Sequence, residues 1–300
     1  MDTNILLENG TNELEVLEFL IGNNHYGINV AKVREIISYQ EVTPVPNVDP
    51  SIEGVFIPRD VMITVVNLEK HLNLKADEDR STDMLIICNF NQLNVAFHVQ
   101  KIVGIHRLSW EAIMVPDNSI NNPETSVSTG IIKIDGRLIV ILDFEKIITD
   151  ISPETGLKVS AIEDMGPRVQ RADIPIFMAE DSALLSKLIK DALSKAGYTN
   201  VTSFGNGKAC YDKLEELKEK GTLNDVCKCI ITDIEMPVMD GHRLTKLVKE
   251  DPDIKGIPLI IFSSLINQEM FAKGKALGAD AQLSKPEIGQ LVETIDGLVS

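Results

Sequence analysis

The chain has 300 residues, enough for two domains that each bury a core. Its 44% hydrophobic and 25% charged content is ordinary for a globular protein and excludes disorder or a fibrous repeat as its class. Acidic residues outnumber basic ones 45 to 29, a net charge of −16 that disfavours nucleic-acid phosphates and anionic lipid, and no Lys/Arg run makes a local basic patch.

No apolar stretch approaches the roughly 20 residues that span a bilayer. The N-terminus, with Asp2, Glu8 and Glu13, lacks the basic-then-apolar order of a signal peptide. A cytoplasmic protein without direct membrane insertion and without a nucleic-acid partner is therefore expected. The four cysteines, Cys88, Cys210, Cys227 and Cys229, are expected to be free thiols. The C-x-C pair at 227–229 has no second Cys/His pair nearby to complete a zinc site, and strand alternation is expected to put both of its side chains on one face.

From Leu14 to about Ile148 the chain reads as short β-rich segments. These are residues 14–22, 25–30, 62–68, 83–90, 94–99 and 136–142. Asn23-Asn24 and Asp135-Gly136 stand between such runs as hairpin turns. Asp-Gly is the stronger signal, because a type I′ turn needs positive φ at both positions. A helical stretch is expected from Val30 to Ser38. Many short strands joined by hairpins predict a barrel or a pair of small barrels. His25, His71, His98 and His106 are scattered, with no carboxylate or Cys partner at metal-ligand spacing, and are expected to be structural or surface groups. Trp110 is expected to pack at a core edge. No nucleotide-binding or nucleophile motif occurs in this half, so it is expected to bind another protein.

Pro153, Gly156, Gly166 and Pro167, with scattered charges and no sustained period, mark a linker. The expected organisation is a first domain over 1–152, a linker over 153–172 and a second domain over 173–300. From Ile174 onward strands and helices alternate. Runs at 174–180, 200–204, 229–234, 257–264 and 281–286 read as strands, and 184–197, 207–221, 241–250, 270–279 and 288–299 as helices. Five βα repeats predict a parallel sheet covered on both faces, the flavodoxin-like doubly wound fold.

Ligands of such sheets bind outside the carboxyl ends of the strands. The strands here end in Glu180-Asp181, Asp233, Ser263-Ser264 and Ser284-Lys285-Pro286. One edge thus collects three carboxylates, hydroxyls and an ammonium. Three acids held together repel one another, and a divalent cation such as Mg²⁺, which prefers oxygen ligands, relieves the repulsion. Asp181 and Asp233 are the candidate carboxylate ligands and the backbone carbonyl of Glu235 a third. Glu180 is placed to hold a metal-bound water.

With Glu180-Asp181, Asp233 inside D-I-E-M-P-V-M-D-G (233–241), Ser263, and Lys285-Pro286 in this order, residues 174–300 resemble a response-regulator receiver domain. The resemblance implies that Asp233 is a phosphoacceptor that takes a phosphoryl group from a phosphohistidine with the help of Mg²⁺. It also implies that Lys285 pairs with the acyl phosphate and that the Ser263 hydroxyl hydrogen-bonds a phosphoryl oxygen. Gln282 stands where many receivers carry an aromatic switch residue, and Glu235 is an acid where many are neutral.

In the first half, F-L-I-G…Y-G-I-N-V-A-K-V-R-E-I-I (19–37), T-P-V-P (43–46), I-E-G-V…R…N-L (52–68) and T-G-I-I-K-I-D-G-R-L-I-V-I-L-D (129–143) are similar to the chemotaxis coupling protein CheW. That family's domain is a pair of five-stranded barrels that bind chemoreceptor tips and the histidine kinase CheA. Arg59 matches an arginine that the family places before its fourth strand and is a candidate interface residue. Ile57, Asp60, Thr64 and Asn67 depart from the family pattern around it.

The two-domain order resembles the CheV coupling proteins. It implies a chemotaxis adaptor, not an enzyme, that is recruited to membrane-associated receptor arrays. Its receiver would promote its own phosphoryl transfer and dephosphorylation, serving adaptation or draining phosphate from the pathway. The alternative is a Mg²⁺-dependent phosphohydrolase with an aspartyl nucleophile, of which Asp233-Ile234-Glu235 is an echo. The acid pair that precedes Asp233 and the lack of a cap segment stand against it.

Overall fold

The computed structural model describes residues 13–74, 81–90, 93–114, 127–152, 171–264, 268–285 and 287–299. Pro286 and most of the expected linker, 153–170, lie outside them. The N-terminal half forms ten strands in two five-stranded sheets, and the C-terminal half one five-stranded sheet flanked by helices.

The first sheet comprises β1 (Glu13–Ile21), β2 (Asn24–Asn29), β8 (Lys101–Ser109), β9 (Ser128–Ile134) and β10 (Arg137–Leu142), in the order β8-β1-β2-β10-β9. The second comprises β3 (Val33–Ser38), β4 (Ile52–Phe56), β5 (Ile63–Asn67), β6 (Met84–Phe90) and β7 (Leu93–Val99), in the order β3-β6-β7-β5-β4. Both sheets repeat one pairing pattern: two antiparallel pairs, one parallel pair, one antiparallel pair. This is the expected paired five-stranded architecture.

Turn chemistry fixes register. Ile134 faces Arg137 across Asp135 and Gly136, whose φ of 49° and 82° give the turn that Asp-Gly favours. The first hairpin turns one residue earlier than expected, at Gly22-Asn23, because Gly22 supplies the positive φ of 60° and Asn24 already pairs with Ile21.

The helix expected over Val30–Ser38 is not formed. A single 3-10 turn, Val30–Lys32, is capped by the Asn29 side chain, which accepts from the Ala31 N–H at 3.0 Å. The chain then extends as β3. Val33, Glu35 and Ile37 turn inward and Arg34, Ile36 and Ser38 outward, so pairing with β6 imposes the period of 2 that V-R-E-I-I-S also fits.

β6 shows why some strands read as continuous apolar runs. Leu85 and Ile87 enter a core inside the second sheet with Ile63, Val65 and Ala96. Ile86, Cys88 and Phe90 enter a second core shared with the first sheet's Leu17, Phe19, Ile21 and Ile28. The shared core is closed by a helix that the sequence reading did not expect, α2 (Phe144–Ile151); the short α1 (Leu68–His71) precedes it. Asp143 caps α2 by accepting from the Lys146 N–H at 2.9 Å, and Phe144 stacks edge-on against Phe97 with ring centroids 4.6 Å apart.

In the C-terminal half β11 (Ile176–Ala179), β12 (Val201–Phe204), β13 (Cys229–Thr232), β14 (Leu259–Ser263) and β15 (Ala281–Ser284) pair in parallel as β12-β11-β13-β14-β15. Helices α3 (Ala183–Lys195), α4 (Gly207–Glu219), α5 (Leu223–Val226), α6 (Gly241–Glu250), α7 (Gln268–Ala276) and α8 (Ile288–Val299) accompany them. Phe177, Ala179, Ile230, Leu259 and Ile261 face one core; Ile176, Met178, Ile231, Ile260 and Phe262 face the other.

All four cysteines are free and buried. Cys227 and Cys229 enter opposite cores, contrary to the one-face expectation, because β13 begins only at Cys229 and Cys227 closes α5. Burial pushes the Cys227 thiol up to about 12, so it stays protonated. Arg171 opens the domain by gripping α8: its Nε donates to Asp296 at 2.8 Å, its Nη2 donates to the other oxygen of that carboxylate, and its Nη1 donates to the Ala196 carbonyl at 2.6 Å.

Candidate functional site

Because the five strands are parallel and adjacent, their carboxyl ends share one edge. β11 hands Glu180 and Asp181 to it, β13 hands over Asp233, β14 ends in Ser263, and Lys285 follows β15. Glu180, Asp181 and Asp233 each place a carboxylate oxygen within 4.8 Å of the others. Lys285 Nζ lies between two of them, donating to Glu180 Oε2 at 2.7 Å and to Asp233 Oδ2 at 2.8 Å. Lys285 is 2% exposed, Glu180 4% and Asp233 6%.

Backbone hydrogen bonds fix these groups. The Asp233 N–H donates to the Ala179 carbonyl at 3.0 Å, the Ile234 N–H to Asp233 Oδ1 at 2.6 Å, and the Lys285 N–H to the Ser263 carbonyl at 3.1 Å. Ser263 itself is buried. The structure therefore brings together Glu180, Asp181, Asp233, Ser263 and Lys285, as expected.

Three carboxylates share one ammonium here, and the imbalance shows in their acidities. Burial and the neighbouring Asp233 push Glu180 up to about 8 against the pull of Lys285. Burial and the other acids raise Asp181 well above the carboxylate range. Burial disfavours the charge on Lys285, but Asp233, Glu180 and Glu145 outweigh it and hold its pKa well above that of a free lysine. An oxygen-rich, electron-rich cluster of this kind fits a hard divalent cation.

Glu235, two residues beyond Asp233, turns its side chain away from the cluster and toward the N-terminal half. Its Oε2 meets Lys32 Nζ at 2.5 Å and its Oε1 accepts from the Asn29 amide. Lys32 also donates to Glu145 Oε1 at 3.0 Å, and the Ser264 hydroxyl donates to that same oxygen. One pocket is consequently lined from both halves, by Asn29, Lys32, Asp143 and Glu145 on one side and Glu180, Asp181, Asp233 and Glu235 on the other. Sequence reading missed these N-terminal residues. Asn29 and Lys32 lie in the 19–37 stretch and Asp143 closes the 129–143 stretch, but nothing in those stretches points to the second half, since their roles there exist only once two separately folded halves meet.

Gln282 donates to the Phe271 carbonyl at 2.8 Å and ties β15 to α7. Arg59 stands apart from the cluster, in the turn Pro58–Asp60 that precedes the fifth strand, at φ 51°. Its side chain is 83% exposed and its Nη2 donates to Glu35 at 3.4 Å.

Three of the four histidines of this half acquire carboxylate partners, which linear spacing concealed, while His71 meets the Ser51 hydroxyl. His25 and His106 each meet the enclosed Glu18 at 2.5 Å, from neighbouring strands of the first sheet. His98 bridges Glu53 at 2.9 Å and Asp83 at 2.8 Å. Burial opposes the charge on His98, but the two carboxylates win and raise its pKa. A histidine raised in this way stabilises the fold fully below its unfolded pKa of about 6.5, and that contribution is lost as pH rises through the folded value. A His98→Gln variant is therefore expected to be less stable than wild type at pH 6, with the gap narrowing at alkaline pH. Denaturant unfolding at several pH values checks this; a gap that widens with pH would show that the imidazole is neutral in the fold.

Comparison with known proteins fits this geometry. The family model for the CheW-like domain matches residues 15–152, and that for the response regulator receiver domain matches residues 176–296. The chain is 32% identical to chemotaxis protein CheV3 of Helicobacter pylori over 282 residues, covering 91% of this chain and 88% of that one. It is 27% identical to CheV1 of the same organism, covering 91% and 89%. Its first half is 31% identical to chemotaxis protein CheW of Thermotoga maritima, covering 50% of this chain and 98% of that one. A strand-end acid cluster on a parallel sheet, two five-stranded sheets ahead of it, and relatives that span both parts place the chain in the CheV family of chemotaxis proteins, adaptors in which a CheW-like domain precedes a response regulator receiver domain.

Proposed function

We propose that the chain couples chemoreceptor tips to the histidine kinase CheA through its CheW-like domain, residues 1–152, and that phosphorylation of the receiver, residues 173–300, at Asp233 regulates this coupling. The observation that carries the reading is Lys285 Nζ within 2.8 Å of both Glu180 and Asp233, beside Asp181. Two buried acids and a half-buried third, gathered around one buried ammonium, are costly to hold together, and a bound cation and a phosphoryl group would offset that cost.

Asp233 is the nucleophile. A carboxylate oxygen attacks the phosphorus of a phosphohistidine, the aspartyl O–P bond forms, the N–P bond breaks, and the leaving imidazole takes its proton from solvent. The Ile234 N–H holds Oδ1 and Lys285 holds Oδ2, so the carboxylate is oriented before the donor arrives. As charge passes to the phosphoryl oxygens, Lys285 stays beside them and the Ser263 hydroxyl donates to one. Asp181, Asp233 and the Glu235 carbonyl would hold Mg²⁺, with Glu180 acting through a water. The cation supplies charge neutralisation in the transition state.

Arg59, exposed and held in a left-handed turn, is proposed as a contact of the CheW-like domain with its partners. No helix among the described residues is long and apolar enough to cross a membrane; recruitment to membrane-associated receptor arrays is part of the proposal. The test is Asp233→Ala in cells: adaptation to a sustained stimulus is expected to be impaired while receptor–kinase coupling persists. Unaltered adaptation would refute the regulatory part.

A further inference from the structure

The receiver's acid edge faces the CheW-like domain of the same chain. Two locks hold the faces together. Lys32 and Asn29 grip Glu235, on the loop that follows Asp233. Glu145, from α2, accepts from Ser264, on the loop that follows Ser263. Lys32 joins the locks by pairing with Glu145 as well, and its Nζ stands over the Phe90 ring, 5.7 Å from the centroid.

A third contact lies between them. The Val238 N–H donates to the Trp110 carbonyl at 3.2 Å, from a residue at φ 67°. A β-branched residue is an outlier in that region of backbone space, and it sits in the same loop as Glu235. The loop's unusual conformation is thus met from outside the receiver.

We infer that the CheW-like domain closes over the phosphoacceptor site of its own receiver, with Lys32–Glu235 and Glu145–Ser264 as the locks, and that this closure and phosphorylation at Asp233 exclude one another. The inference rests on Asp233 being the acceptor. Two physical reasons carry it. Access is the first: Asp233 and Glu180 are buried beneath the joint pocket, and an in-line donor must reach the face that Asn29, Lys32, Asp143 and Glu145 cover. Charge is the second. The CheW-like domain brings two carboxylates, Asp143 and Glu145, and one ammonium, Lys32, to a receiver edge that holds four carboxylates and one ammonium. A phosphoryl group on Asp233 adds negative charge opposite Asp143 and Glu145, while Lys32 is already engaged. Closure disfavours the phosphorylated state, and by reciprocity a phosphoryl group on Asp233 disfavours closure; the covering face also slows access of a donor. The coupling face of the first domain and the state of the second are thereby linked through contact alone.

The test uses the full chain and two variants that break different locks from opposite sides, Lys32→Glu and Ser264→Asp. Small-angle scattering reads closure without any phosphoryl chemistry, and uptake of label from the small donor phosphoramidate reads access. Wild type is expected to be compact. Both variants are expected to have a larger radius of gyration and to take label faster by roughly fivefold or more, the lower end of usual coupling between sites. Wild type with beryllofluoride and Mg²⁺ is expected to expand to the variants' radius. Equal radii for all chains, or expanded variants labelled at the wild-type rate, would overturn the closure while leaving Asp233 as acceptor. Absence of label on every chain would instead overturn the acceptor reading, and the exclusion with it.

Discussion

Lys285→Met is expected to slow phosphoryl uptake by roughly 100-fold or more, the usual cost of removing one donor that faces developing transition-state charge. It is also expected to destabilise the receiver at neutral pH by about 3 kcal/mol, because two buried carboxylates lose their only ammonium. The methionine preserves most of the volume, so the loss reports charge rather than a cavity. The pH dependence separates this from a packing defect. Glu180 already sits at about 8, against 4.5 for an ordinary glutamate. For an acid raised on folding, the unfolded chain gives up its proton first, so stability falls as pH climbs through that interval. Lys285 counteracts that rise. Its removal leaves a deficit that is largest at neutral and alkaline pH, shrinks on acidification as the carboxylates protonate, and shrinks again when Mg²⁺ is added. Label uptake and denaturant unfolding, with and without Mg²⁺, check both halves. A deficit independent of pH and Mg²⁺ would mean that Lys285 acts only as packing.

Gly241→Ala is expected to damage the same site without touching a charged group. Gly241 opens α6, capped by Asp240, and its N–H donates to the Ile234 carbonyl at 2.9 Å. A Cβ built there falls 2.8 Å from the Asp233 carbonyl carbon, closer still to its oxygen, and 3.0 Å from the Thr232 hydroxyl. Those are backbone atoms and a buried side chain, which cannot swing aside, so the loop carrying Asp233 must move. A displacement of that kind costs on the order of 2–3 kcal/mol in stability and, by misplacing the nucleophile about 1 Å, up to about 100-fold in rate. Thermal unfolding and label uptake on the purified variant measure the two. Wild-type stability together with wild-type uptake would show that the loop yields freely.

Strand-end chemistry was the most legible part of this chain. Glu180-Asp181, Asp233, Ser263 and Lys285 could be assigned to one edge because parallel βαβ topology leaves no other place for the carboxyl ends of adjacent strands. Asp135-Gly136 was legible for a similar reason: its backbone preference is local and nothing distant opposes it. Residues 30–38 were misjudged because a nine-residue apolar pattern suits a helix or a strand, and pairing with β6 decided between them. α2 hides inside a β-rich run, announced only by Asp143 as a cap. The carboxylate partners of His25, His98 and His106 come from other strands, and Lys32 and Glu145 come to Asp233 from another domain. Sequence spacing carries no record of either meeting.

Asp233 is expected to accept a phosphoryl group. Purified wild-type chain and Asp233→Asn, mixed with radiolabelled phosphorylated CheA and Mg²⁺, put it to the most direct measurement. Label is expected to move rapidly from the kinase to wild type and to be absent from Asp233→Asn, whose amide keeps the shape but not the nucleophile. Label on both chains at equal rates, or on neither while a control receiver is labelled, would contradict the account.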